Sequence, residues 1–118
     1  LAGVRKAHAE GCASVEAGGR WLATNYAKSP AVPGAVAYSM LMLLGTVTGG
    51  WQLARAAVIA SEKLAADSAG SAAERDFLAA KLITADFYAG QFSPLAAAYL
   101  RAVEAGADAL MAFPDSQF

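Results

Sequence analysis

The only histidine lies two residues from an acid and four from the only cysteine, His8, Glu10 and Cys12, which is the H-x-E opening used by zinc deaminases. The P-C-x-x-C half that completes such a site is absent, and no other residues supply the missing ligands. His8 is better read as a hydrogen-bonded residue on a helix stripe. The run GTVTGG at 45–50 has the glycines of a phosphate cradle, but it lacks the Lys and Ser or Thr of a P-loop and lies inside an apolar segment. Asp67, Asp76, Asp86, Glu104, Asp108 and Asp115 are scattered, with no Glu-x-x-His pair for a dinuclear iron centre. A serine nucleophile would need a base, and His8 is remote from any strained turn. The residues therefore predict no catalytic, cofactor-binding or metal-binding constellation, and attention moves to the elements themselves.

The stretch 35–60, AVAYSMLMLLGTVTGGWQLARAAVIA, dominates the chain because it is almost wholly apolar and carries one charge, Arg55. Residues 35–54 have the length of a membrane span and no charge. Ser39, Thr46, Thr48, Gln52 and three glycines, the lack of flanking basic clusters, and the amphipathic neighbours favour the centre of a helical bundle instead, so no membrane span is expected. At 118 residues the chain suits one domain. Nine Lys and Arg against ten Asp and Glu leave no field to recruit nucleic acid. A single cysteine cannot form an internal disulfide, so a reducing compartment, the cytoplasm, is the expectation. The opening LAGVRKAHAEG has charges where a signal peptide needs an apolar run and does not start with Met; it reads as part of a longer protein.

In the first segment, about 1–27, Val4, His8, Gly11, Val15, Gly18, Leu22 and Tyr26 follow steps of four and three, one stripe of a helix. KSPAVPG at 28–34 breaks it, with Ser29 or the residue before Pro33 able to cap the next helix. That second helix is predicted over about 34–66, ending at the ADSAGS linker. Ser71 and Glu74 form a capping-box pattern that starts the third. Leu78, Leu82, Ala85, Ala89, Phe92, Ala96, Tyr99 and Val103 continue one seam through Pro94, which predicts a long helix kinked where the proline ring meets the carbonyl of Gly90. Gly106 should interrupt it, ADALMAF should form a short last helix before Pro114, and PDSQF should be a loose tail.

The expected fold is all-α, an antiparallel bundle of three long helices, the third kinked at Pro94, plus a short C-terminal helix. Counting outward from each turn sets Gly49 near Tyr88, Gly45 near Phe92 and Arg55 near Asp86, the last pair as a possible ion pair. Counting from the first turn sets Gly45 near Gly18 and Gly49 near Gly11, a close approach of helix backbones.

Three runs, 35–60, AKLITADFYAGQFSPLAAAYL and AGADALMAF, resemble the extra C-terminal domain of one branch of the acyl-CoA dehydrogenase family, which includes methylmercaptopropionyl-CoA dehydrogenase-like enzymes. The ordered correspondences are Gly45 to Trp51 including Gly49 and Gly50, Leu53 to Ala57 including Arg55, Lys81, Phe87, Tyr88, Pro94, Ala105 to Ala107, Leu110 and Met111. Met40 to Leu44 departs from the pattern, being less polar. The resemblance implies a parent flavoprotein of fatty acid metabolism that uses FAD to oxidise an acyl-CoA to its enoyl-CoA and passes electrons to an electron-transfer flavoprotein. It places the flavin, the acyl-CoA cleft and the catalytic glutamate in preceding domains, so no catalytic residue is carried over. An accessory domain covering the catalytic body or the subunit interface of a homo-oligomeric parent is the first reading. A stand-alone Ala-rich interaction module is the alternative.

Overall fold

The computed structural model describes residues 1–66 and 70–118, and among them every regular element is helical. Helix α1 spans Ala2–Asn25, α2 spans Ala31–Ala65, and the third helix is bent at 92–94 into α3, Ala72–Gln91, and α4, Leu95–Glu104. Residues 67–69 of the expected linker, Asp67 among them, lie outside the described residues.

Local chemistry explains each boundary. In the last turn of α1 side chains turn back onto the helix: Thr24 donates to the Arg20 carbonyl at 2.9 Å and Asn25 to that of Trp21 at 2.7 Å. A 3-10 turn, Tyr26–Lys28, follows. The Ser29 hydroxyl accepts from the Ala31 amide at 3.3 Å, so α2 starts three residues before the expected Gly34. Pro33 is tolerated there because first-turn amides have no partner within the helix. At α3, Ser71 Oγ accepts from the Glu74 amide at 3.1 Å. The Glu74 carboxylate accepts from the Gly70 amide at 3.0 Å, one residue before the serine amide that a capping box predicts.

At the bend, Pro94 has no amide to donate. The Tyr88 carbonyl takes both the Phe92 and Ser93 amides, at 2.9 and 3.0 Å, and Leu95 and Ala96 turn to carbonyls three residues back. The α-helical ladder is thus interrupted and restarts after proline, whose φ of −61° suits the front of α4. Gly106 ends α4 with φ +67°, the left-handed conformation that glycine adopts without a Cβ penalty. Beyond it, the expected ADALMAF helix is only an irregular turn, and a 3-10 turn, Asp115–Gln117, lies in the expected loose tail.

Helix α2 runs antiparallel to α1 and to α3, and α1 in turn packs against α3 and α4, so the helices touch one another all round. Val47 meets Gly11, while Leu43 and Met40 meet Gly18; on the other side Tyr88 meets Gly49 and Leu78 packs with Ala60. The core is thin and made of small side chains: Val4, Ala57 and Ala85 in one cluster, with Leu43, Val36 and Val103 the largest fully buried residues. The molecule measures 68 × 28 × 17 Å, with a radius of gyration of 19.4 Å. A compact chain of this length has about 13–14 Å.

Candidate functional site

Two features stand out, a glycine seat under Tyr88 and an uncovered apolar stripe on α2. In the first, a Cβ at Gly49 would lie 2.9 Å from the Tyr88 hydroxyl, and one at Gly50 would lie 3.3 Å from its ring. The absence of those side chains lets the phenol reach across α2 and donate to the Thr46 carbonyl at 2.9 Å. Burial pushes the Tyr88 phenol above its ordinary value of 10.0, because a phenolate there would lose its solvation. Tyr88 therefore remains a donor at neutral pH. Phe92 stacks on Tyr88 with ring centroids 5.1 Å apart, and Phe87 meets Phe92 edge-on at 6.0 Å.

The other residues singled out by the sequence are elsewhere. Gly45 is exposed, with nothing within 4 Å of a Cβ built on it, so neither Phe92 nor Gly18 seats there. The outward count fails for Phe92 because the bend begins at that residue and carries it back onto Tyr88. The expected backbone-to-backbone approach is also corrected: Gly11 and Gly18 each receive α2 side chains, and a Cβ added there would lie 3.0 Å from Val47 and 3.2 Å from Leu43.

Arg55 and Asp86 do not pair. Arg55 lies two residues from the buried Ala57, about 200° around the helix, which turns it outward. Its guanidinium sits 5.0 Å over the Trp51 ring and donates to the side-chain Oε1 of Gln52 at 3.4 Å. Asp86 is exposed beside Gly3 of α1. With no buried charge pair to break, Asp86→Ala is expected to change the unfolding free energy by less than about 0.5 kcal/mol, checked by urea titration. Lys81 Nζ lies 4.6 Å over Phe77, again on the surface.

Outward from α2 face Tyr38, Leu41, Leu44, Gly45, Thr48, Trp51 and Ile59, with Tyr38 and Leu41 each 68% exposed. With Arg55, which also faces outward, these positions lie on one side of the helix, so they form a stripe that is largely apolar but carries one charge. Helix α2 is long and apolar enough to cross a membrane, and only 17% of its apolar window is buried within the domain. Isolated exposed apolar residues are ordinary, but a largely apolar stripe of this length is a candidate contact surface.

His8 Nε2 lies 3.5 Å from Cys12 Sγ, and among the described residues no third His, Cys, Asp or Glu joins them to hold a metal. Its other nitrogen, Nδ1, is buried without a protein partner, and His8 lines a small cavity with Thr46, Tyr88 and Ser93. Sequence reading missed Thr46 and Ser93 as neighbours of His8 in this cavity. Their signal was present: each is a polar residue near an otherwise apolar seam, one on α2 and one beside Pro94.

The family described as acetyl-CoA dehydrogenase C-terminal like matches residues 1–114. No match was found among curated proteins or solved structures. The matched span takes in the Gly49–Tyr88 seat, the bend at Pro94 and the whole α2 stripe, and leaves out only the last four residues. The chain belongs to the acetyl-CoA dehydrogenase C-terminal-like family.

Proposed function

We propose that this domain is the accessory C-terminal domain of a FAD-dependent acyl-CoA dehydrogenase, and that it lays the outward stripe of α2 on the preceding catalytic domains of the same chain. The single observation that carries the docking is the exposure of Tyr38, Leu41 and Trp51 on one outward side of α2. Family membership supports the identity of the parent. The parent converts an acyl-CoA to an enoyl-CoA, hands electrons to an electron-transfer flavoprotein, and works as a cytoplasmic homo-oligomer in this reading.

In this reading the flavin lies in the preceding domains of the parent. No residue here is assigned to the cofactor, and no chemical step is routed through this chain.

The test is made in the full-length parent with Leu41→Arg. Burying a leucine is worth about 1.5–3 kcal/mol, and an arginine there would also have to be desolvated. The substituted enzyme is expected to release the domain, read as faster proteolytic cleavage ahead of Leu1 and a fall in acyl-CoA oxidation. Unchanged cleavage and activity would sink the docking surface. Loss of oligomerisation with intact intrachain packing would move the stripe to a subunit interface. A parent without flavin absorbance would reject the enzyme assignment, and a chain that needs detergent to stay in solution would make α2 a membrane segment.

A further inference from the structure

We propose that the cavity between α1, α2 and the helix bend is a binding site for one ordered water molecule, held by His8 Nδ1 and the Ser93 hydroxyl and closed by Tyr88. His8 Nδ1 is buried without a protein hydrogen-bond partner. Such a group is costly to leave unsatisfied, and buried polar atoms in folded proteins almost always find protein or water. The cavity that His8 lines has free space of about 10 Å³, room for a single water.

The lining supplies the partners that a buried water requires. Ser93 contributes a hydroxyl that lies 3.6 Å from a Cβ position at Gly50, so it points across the gap toward α2. The Tyr88 hydroxyl spends its proton on the Thr46 carbonyl and keeps a lone pair that can accept. Water suits this set because it can donate to an unprotonated Nδ1 or accept from a protonated one, whichever tautomer the Cys12 contact at Nε2 selects. A methyl-sized apolar group would fill the space but leave Nδ1 unsatisfied.

The site joins three elements that otherwise meet through small residues, Ala7 and Gly11 of α1, Gly50 of α2 and Ala89 before the bend. Its water completes a polar link from α1 to the segment where the Tyr88 carbonyl already takes two amides. The ligand thereby holds the bend against α1.

A crystal structure of the full chain resolving ordered solvent tests this directly. The expected result is one density peak within about 3.2 Å of both His8 Nδ1 and Ser93 Oγ. A cavity without density, or a His8 ring turned so that Nδ1 bonds directly to a protein group, overturns the proposal. In solution, the same water should give cross-relaxation to the Tyr88 ring protons, and Ser93→Ala should abolish that signal while leaving the helical circular dichroism unchanged. Persistence of the signal in Ser93→Ala would remove Ser93 from the site and overturn the proposal as stated.

Discussion

Leu43→Ala is expected to lower the unfolding free energy of the 118-residue chain by about 3 kcal/mol, measured as a fall in the urea midpoint at unchanged slope. Leu43 is the largest fully buried side chain, at 0% exposure, and one of its methyls lies 3.2 Å from a Cβ position at Gly18. Truncation removes its transfer energy and opens a void beneath α1. The void cannot close cheaply, because the nearest neighbours are the thioether of Met40, which already packs at Gly18, and Leu100 of α4. A domain only 17 Å thick has little other core, so this loss is a large share of the few kcal/mol by which small domains are stable. A change below about 1 kcal/mol would mean that the helices are not packed through Leu43.

The second large effect separates two glycines of one helix. Gly49→Leu should destabilise the chain by about 2 kcal/mol: about 1–3 from overpacking and about 0.5–1.5 from the lost Tyr88–Thr46 hydrogen bond, less about 0.8 for improved helix propensity. The phenol oxygen lies 2.9 Å from the added Cβ, and stacking with Phe92 restrains its retreat. Gly45→Ala should do the reverse, stabilising by about 0.5–1 kcal/mol, because nothing lies within 4 Å of its Cβ position and propensity alone acts. Opposite signs in matched thermal melts are the expected result. Equal signs would remove the seat under Tyr88.

The same two glycines show how far the sequence could be read. Both sit in GTVTGGW, both were expected to seat aromatic rings, and only one does. Counting from the linker set Gly49 against Tyr88 because both lie on regular, antiparallel helix. The count failed for Gly45 because Phe92 is the first residue of the bend, where the helical increment no longer applies. Arg55 illustrates the sensitivity of such inferences. Each residue turns a side chain by about 100°, so a partner estimated to within a turn along the axis can still point away.

The candidate docking stripe was legible only as composition. A segment apolar all round is compatible with burial on every side or with a face left for another partner, and nothing within it distinguishes Leu43, fully buried, from Leu41, largely exposed. Likewise His8 was recognised as a stripe residue, but its cavity needs Thr46 and Ser93, which approach from two other helices.

By itself, the sequence determined the three long helices, the Ser71 cap, the kink at Pro94 and the stop at Gly106, along with the correspondence to the family; the short helix it predicted over ADALMAF is an irregular turn. Those features depend on hydrogen bonds and torsions within a few residues, which the local residues dictate. Only the tertiary structure decided which side of α2 faces outward, which glycine carries Tyr88 and where His8 Nδ1 is enclosed. These depend on the azimuth and depth at which helices distant in sequence meet, and that is set by how all the facing side chains pack at once.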